Sequence, residues 1–342
     1  LLGAGLGGGH GRHEGLYGLV SDNFLNLNVV LADGRAIRVN ATSNADLLWA
    51  MKGAGHNFGI VTSFEMNVFP RGPDTWHYHN YIWRGEKLEE VFTALNDLHD
   101  NGNTPVNMAL NFGNFIMNTT ITQEEPIIYW FFAYRGTAEM AAPYLAPFNA
   151  IEAVYDESGD VPYPRISKAQ QTAADDPLCG DGLVRALSTS FLRVYNVTTT
   201  RQIFDGFKRR VVSHPALAAG SNIVHEGYST AAVDAQNPDD SAYPFRADHH
   251  LNLFNAVVPP GNSSLFQVAR EWAKEVEDQW NAGEPGRTPS IYVNYANGLE
   301  PVEQIYGQEP WRLERLRGLK AKYDPYNRFR YFNPIIRRRG YY

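Results

Sequence analysis

The chain has 342 residues, long enough for two domains or for one domain with a large insertion. Its 30 basic and 37 acidic residues leave a formal charge of −7, which argues against nucleic acid or an anionic membrane as the main partner. No stretch approaches the ~20 apolar residues that a membrane span needs, and the single cysteine, Cys179, permits no disulfide within these residues.

The first eighteen residues hold eight glycines, including Gly7, Gly8, Gly9 and Gly18. A segment so poor in side chains builds no core. Its use lies in exposed amides and unusual backbone angles, suited to close approach by a phosphate or a flat ring. Such a loop at the start of the chain predicts that the domain owning it begins upstream of Leu1.

Residues 25–31 then alternate as a strand and 36–39 form a second. Asp33-Gly34 between them is a hairpin signal in which both central positions take positive φ. Residues 44–51 predict a short helix capped by Asn44 or Ser43, with Asp46 in its first turn. A second glycine cluster, Gly53, Gly55 and Gly59, runs into a strand over 60–68 that places Ile60, Phe64, Met66 and Val68 on one face.

From about residue 72 the pattern changes. Helical periodicity is read at Leu88, Val91, Phe92, Leu95 and Leu98, and again at Leu265, Val268, Trp272, Val276 and Trp280. Strand-like apolar runs lie at 127–134, 189–195, 222–228, 251–258 and 290–295, while 152–185 and 229–248 read as loops. Strands and helices mixed without a βαβ rhythm predict the α+β class, an antiparallel sheet flanked by helices. Residues 311–322 form an amphipathic helix with Leu313, Leu316 and Leu319 inward, ended by Tyr323-Asp324-Pro325. Arg337-Arg338-Arg339 reads as a solvated tail. Four Asn-X-Ser/Thr sequons, at Asn40, Asn118, Asn196 and Asn262, point to a secreted glycoprotein.

Gly3-Ala4-Gly5-Leu6-Gly7-Gly8 spells G-x-G-x-x-G. More glycine, His10, Arg12 and His13 follow it, which argues against a helix packed on a sheet and so against a nicotinamide-binding unit. The longer series runs Gly7-Gly8-Gly9-His10-Gly11-Arg12, Tyr17-Gly18-Leu19-Val20-Ser21-Asp22-Asn23, Ala32-Asp33-Gly34, Asp46-Leu47-Leu48-Trp49-Ala50 and Gly53 through Thr62. In order and spacing it resembles the later half of the PCMH-type FAD-binding domain of vanillyl-alcohol-oxidase-type flavoproteins. Within them it is similar to the berberine-bridge-enzyme-like oxidases, especially the fungal ones. The C-terminus is independently similar through Tyr292-Val293-Asn294-Tyr295, Tyr306-Gly307, Tyr323-Asp324-Pro325-Tyr326-Asn327, Phe329 and Asn333-Pro334-Ile335.

The resemblance implies a later FAD-binding portion over 1–71, a substrate-binding domain over 72–299 and a berberine-bridge-type segment over 300–342 that returns to the FAD side. It places the N-terminal part of the FAD domain outside this chain and predicts that the chain alone is inactive. FAD is the implied cofactor, and the implied partners are molecular oxygen and a small substrate: an alcohol, a carbohydrate or a secondary metabolite. The implied reaction is hydride transfer to flavin; no metal is expected.

Gly7, Gly8, Gly9, Gly18, Gly59, Ile60 and Val61 match positions lining FAD, with Asp22 and Asn23 fixing that loop. Tyr292 matches a tyrosine facing the flavin, for acid/base work or substrate orientation; to act as a base its phenol must be lowered from near 10. Asn294, on the same face of the expected strand, falls to the flavin edge, and Tyr295 is the second choice. The preceding pocket strand, 250–255, carries no carboxylate, which speaks against a base of the alkaloid-cyclising kind. Asn252 or His250 is the expected group to orient a substrate hydroxyl there; Glu226 on another strand reads as solvent-facing and is left out of the expected site. The flavin-anchoring His and Cys of the family lie upstream, so neither His10 nor Cys179 matches an anchor. Two other readings on the same scaffold are an oxidative cyclase of natural-product biosynthesis and a binding protein without turnover.

Overall fold

A computed structural model describes residues 1–173 and 183–337, so the readings made at Cys179, Arg338 and Arg339 fall outside the described residues. The chain divides into two units. One comprises Leu1–Pro70, Thr230–Ala247 and Pro289–Tyr342, the other Arg71–Ser229 and Asp248–Thr288. The expected substrate domain over 72–299 is therefore interrupted. Residues 230–247 belong with the first unit, where Ala242 N donates to Trp49 O and Tyr243 N to Lys52 O, both at 3.0 Å, along the helix Ala45–Ala54.

In the first unit β1 (Phe24–Val30), β2 (Ala36–Asn40) and β3 (Ile60–Met66) form an antiparallel sheet in the order β2-β1-β3. The hairpin forms, but within its turn only Gly34 takes a positive φ, +86°. Gly34 N donates to Leu31 O at 3.0 Å, so this is a longer turn ending in a left-handed glycine rather than a two-residue loop. The helix Ala45–Ala54 follows. Asn44 precedes it with φ +50° and does not cap it; its Nδ2 donates instead to Arg38 O at 2.7 Å.

Two register shifts along β1–β3 break the expected single face of the strand. Phe64 and Met66 pack on the core, whereas Ile60 is 60% and Val68 88% exposed. The core joins Leu27, Val29 and Leu47 to Ile291, Val293 and the three expected leucines, Leu313, Leu316 and Leu319, of the helix Pro310–Tyr323.

The second unit is built on a seven-stranded, wholly antiparallel sheet. Its strands are β4 (Thr75–Trp83), β5 (Met108–Ile116), β6 (Ile127–Tyr134), β7 (Tyr155–Pro162), β8 (Val184–Leu192), β9 (Asn222–Tyr228) and β10 (His250–Val258). They lie in the order β7-β4-β6-β5-β9-β10-β8. The helices Leu88–His99, Val197–Ser213 and Ser263–Gly283 bury Val91, Phe92, Phe207, Trp272 and Val276 in a core with Trp130, Ile223 and Phe254 of the sheet. That is the α+β class expected from the sequence.

Register decides which side chains join that face. Trp130, Gly113, His225, Asn252 and Ser190 stand opposite one another across β6, β5, β9, β10 and β8. Asn252 shares its face of β10 with Phe254, two residues on, whose ring lies 4.7 Å from Trp272 of the covering helix. Gly113 is what lets Trp130 lie flat across β5, since a Cβ there would stand 1.9 Å from the indole.

Candidate functional site

The glycine loop is held by its own backbone before any side chain acts. Val20 N donates to Gly9 O and Ser21 N to Gly8 O, each at 2.9 Å. Gly8 sits at φ +109°, which a side chain would strain. These glycines also permit close packing: a Cβ on Gly7 would meet Asn294 Oδ1 at 2.4 Å, and one on Gly8 the Tyr243 ring at 2.6 Å. Gly3 and Gly11 open on free space.

Asp22 and Asn23 brace the loop. Asp22 accepts from Leu19 N at 2.9 Å and pairs bidentately with Arg246, at 2.6 and 3.0 Å. Both side chains are nearly buried, so the pair is little screened. A Cβ on Gly18 would stand 2.7 Å from the Asp22 carboxylate. Asn23 Nδ2 donates to Tyr17 O and Leu19 O, each at 3.0 Å. Arg246 lies in a stretch that reads as loop, 224 residues from Asp22, and no local signal marks it.

Residues 290–295 do not form the expected strand. Tyr295 N and Ala296 N both donate to Tyr292 O, at 2.9 and 3.0 Å, which makes a helical turn. The turn still gathers the expected residues. Tyr292 and Tyr295 meet edge to face at 5.2 Å, and Asn294 Nδ2 donates to the Tyr292 phenol at 2.7 Å and to Ala4 O at 3.0 Å.

Burial is the main influence on the Tyr292 phenol and raises it, while the Asn294 amide and the nearby backbone of His10 and Gly9 favour its ionised form and are outweighed. With Glu14 adding repulsion, the phenol is pushed up to about 12. The condition for Tyr292 to act as a base, a lowered phenol, is not met in this arrangement, and Tyr292 is neutral near pH 7.

Beside it stands a second chain of groups that sequence reasoning missed. Glu14 is 2% exposed and holds His10 Nδ1 at 3.1 Å from both carboxylate oxygens. It also accepts from Gly11 N at 2.8 Å. His10 Nε2 lies 2.8 Å from the Tyr243 hydroxyl, and the His10 ring meets Tyr292 edge-on at 5.0 Å. His10 lies in the loop before the helical turn Glu14–Tyr17, so its four-residue spacing from Glu14 is no helical signal of their contact; Tyr243 is 233 residues away and had none.

Gly59, Ile60 and Val61 lie at the start of β3, with Ile60 opposite Val30 and Val61 opposite Val29. Asn252 requires a correction. It is fully buried on the helix-covered face of the second unit, with Oδ1 2.8 Å from His225 Nδ1 and Nδ2 donating to Ser190 O at 3.3 Å. Its amide is committed to the sheet interior and is not presented to a substrate. Glu226 alternates to the opposite face and accepts from Tyr228.

The residues of the loop suit a flavin nucleotide. The loop presents backbone without side chains at Gly3 and Gly11, and the Ser21 hydroxyl beside it is buried without a hydrogen-bond partner among the described residues. Among the described residues no group of three or more His, Cys, Asp or Glu could hold a metal ion, and no helix is long and apolar enough to cross a membrane.

Comparison with known proteins gives a consistent set of likenesses. The family model "Berberine and berberine like" matches residues 291–336. The FAD-linked oxidoreductase OXR2 of Pyricularia oryzae is 50% identical over 340 residues, covering 98% of this chain and 65% of that protein. The FAD-linked oxidoreductase alt4 of Alternaria solani is 30% identical over 348 residues, covering 96% of this chain and 69% of its own length. Among solved structures, a chitooligosaccharide oxidase shares the fold with a TM-score of 0.76 at 21% identity, over 98% of this chain and 71% of that one. The chain thus spans just under two thirds of the length of OXR2.

Proposed function

We propose a function from one premise: the chain belongs to the berberine-bridge-enzyme-like family of FAD-linked oxidoreductases. The whole protein oxidises a small organic molecule bearing a hydroxyl group, a carbohydrate, another alcohol or a secondary metabolite. FAD, when bound, supplies a two-electron hydride acceptor that molecular oxygen restores with release of hydrogen peroxide.

The observation that carries this reading is the Tyr292 cluster. Asn294 Nδ2 holds the phenol oxygen at 2.7 Å, with the 292–296 turn and the glycine-loop backbone around it. A neutral phenol so held keeps its own proton for a substrate oxygen, and orienting that oxygen is Tyr292's role. The amides and open glycines of the loop, braced by Asp22 and Arg246, form one wall for the cofactor. A secreted glycoprotein remains our reading of the compartment, since the sequon residues Asn196 and Asn262 are exposed at helix N-caps.

The test uses the full-length protein. Its yellow flavin absorbance is expected to bleach anaerobically with one member of a panel of oligosaccharides and alcohols, with peroxide formed in air. A colourless full-length protein, or a flavoprotein inert to the whole panel, contradicts the proposal.

A further inference from the structure

The four sequons are Asn40-Ala41-Thr42, Asn118-Thr119-Thr120, Asn196-Val197-Thr198 and Asn262-Ser263-Ser264, and the fold treats their amides differently. In N-glycosylation the amide nitrogen is the reacting atom, so where each Nδ2 points decides more than how exposed its residue is.

Two of these nitrogens are held inward. Asn40 Nδ2 donates at 2.9 Å to Asn26 Oδ1, an oxygen that Arg38 Nε also reaches at 3.2 Å. Asn26 is 3% exposed, so a sugar on Asn40 would have to enter beside a buried side chain. Asn196 is exposed, yet its Nδ2 donates to Gly283 O at 3.0 Å while its Oδ1 accepts from Thr199 N at 3.0 Å. A Cβ on Gly283 would already stand 2.8 Å from Thr199 Oγ1, so this helix end has no room for a sugar.

The other two are turned outward. Asn118 Oδ1 accepts from Thr120 N at 3.1 Å and from the Thr120 hydroxyl at 2.6 Å. Asn262 Oδ1 accepts from the Ser264 hydroxyl at 3.1 Å and from Leu265 N at 3.0 Å. A backbone N–H only donates, so the atom facing it is the amide oxygen, and Nδ2 is left on the far side. Neither Nδ2 has a hydrogen-bond partner among the described residues, and Thr119, Thr120 and Asn262 are exposed. Asn118 follows β5 and Asn262 follows β10. Ile116 stands opposite Asn222 and Asn222 opposite Asn255, so both loops lie at one end of the seven-stranded sheet, away from Tyr228 and His250.

We infer that Asn118 and Asn262 carry N-linked glycans in the folded protein and that Asn40 and Asn196 do not. This rests on the secreted reading above. The donor is a lipid-diphosphate-linked oligosaccharide. Nδ2 forms a bond to the anomeric carbon of its first sugar as the C–O bond to diphosphate breaks. The diphosphate leaves with that electron pair, and the amide nitrogen loses one proton. A chain that receives a sugar at Asn40 or Asn196 must give up its Asn26 or Gly283 contact, and is expected to be lost before it leaves the cell as folded protein.

The full-length protein is made in a filamentous fungus twice, behind its own N-terminus and behind a heterologous secretion signal. Secreted protein is treated with peptide N-glycosidase in heavy-oxygen water, and each sequon peptide is read by mass spectrometry. Asn118 and Asn262 are expected as labelled aspartate, Asn40 and Asn196 as unmodified asparagine. Thr120→Ala and Ser264→Ala should each remove one glycan from the intact mass, since both keep the backbone N–H bond to the Asn oxygen and lose only the sequon hydroxyl. Thr42→Ala and Thr198→Ala should remove none. Absence of sugar at Asn118 or Asn262, or sugar at Asn40 or Asn196, overturns the inference. Protein that is glycosylated as inferred behind the heterologous signal but stays inside the cell with its own N-terminus fails the secreted reading instead, which separates the two.

Discussion

Replacing Lys320 by methionine is expected to destabilise the first unit by about 3–5 kcal/mol, the cost of stranding one member of a buried ion pair. Lys320 and Asp324 are both fully buried. The ammonium donates to Asp324 Oδ2 at 2.7 Å, Asn57 O at 2.6 Å and Phe329 O at 2.7 Å, so all three of its protons are used. Asp324 in turn accepts from Arg328 N and Phe329 N, at 2.8 and 2.9 Å. One ion pair therefore stitches the second glycine cluster, the last helix and the tail. Burial depresses Lys320, and the Asp324 carboxylate opposes that shift. Methionine fills the space of the stem but leaves Asp324 without its cation and two carbonyls without donors. Chemical denaturation followed by circular dichroism should show the lowered midpoint. Adding Asp324→Asn to Lys320→Met is expected to recover part of the loss, because the stranded charge is then gone. A single variant as stable as wild type contradicts the reading.

Acid is expected to unfold the second unit well before its carboxylates are protonated. Burial pushes His99 and His225 down to about 4 and His250 well below an ordinary imidazole. Tyr195 stacks on His250 at 4.1 Å, His99 meets it at 4.3 Å, and among the described residues neither His250 nitrogen nor His225 Nε2 has a hydrogen-bond partner. Above about pH 6.5 neither folded nor unfolded chain takes up protons at these rings, and their contribution is complete. As pH falls from 6.5 towards 4 the unfolded chain binds protons that the folded unit refuses, so stability declines with pH. By pH 4, His99 and His225 each account for a loss of roughly 3 kcal/mol. Urea midpoints measured from pH 7 to pH 4.5 should fall steadily, and His250→Phe should flatten the slope. A midpoint indifferent to pH across that window contradicts the account.

Much of the fold was legible because hydrophobic period is a strong signal. The helices around Val91 and Trp272 and the strands over 127–134 and 222–228 stand where alternation and periodicity put them. β7 was hidden for a physical reason. It is an edge strand rich in charge, with Asp156, Glu157 and Asp160, and such composition reads as loop while protecting a sheet edge. The bulges along β1–β3 likewise leave no mark in the sequence yet reverse which side chains face inward.

At the candidate site, the motif residues Gly7, Gly8, Tyr292 and Asn294 do come together, because the resemblance covers both ends of the chain. Asn252 was misjudged for want of register: a shift of one residue exchanges the helix-covered face for the other. Arg246 and Tyr243 were out of reach because their partners lie over 220 residues away, in a stretch whose composition suggested only loop.

The central claim is that the Tyr292 cluster orients a substrate beside a flavin. Its most direct test is the anaerobic rate of flavin reduction in full-length Tyr292→Phe, measured by stopped flow with the substrate that bleaches wild type. The account predicts a protein with a normal flavin spectrum whose reduction is slower by about 100-fold, the scale of a lost orienting contact. Reduction at the wild-type rate, with the flavin equally bound, would contradict it.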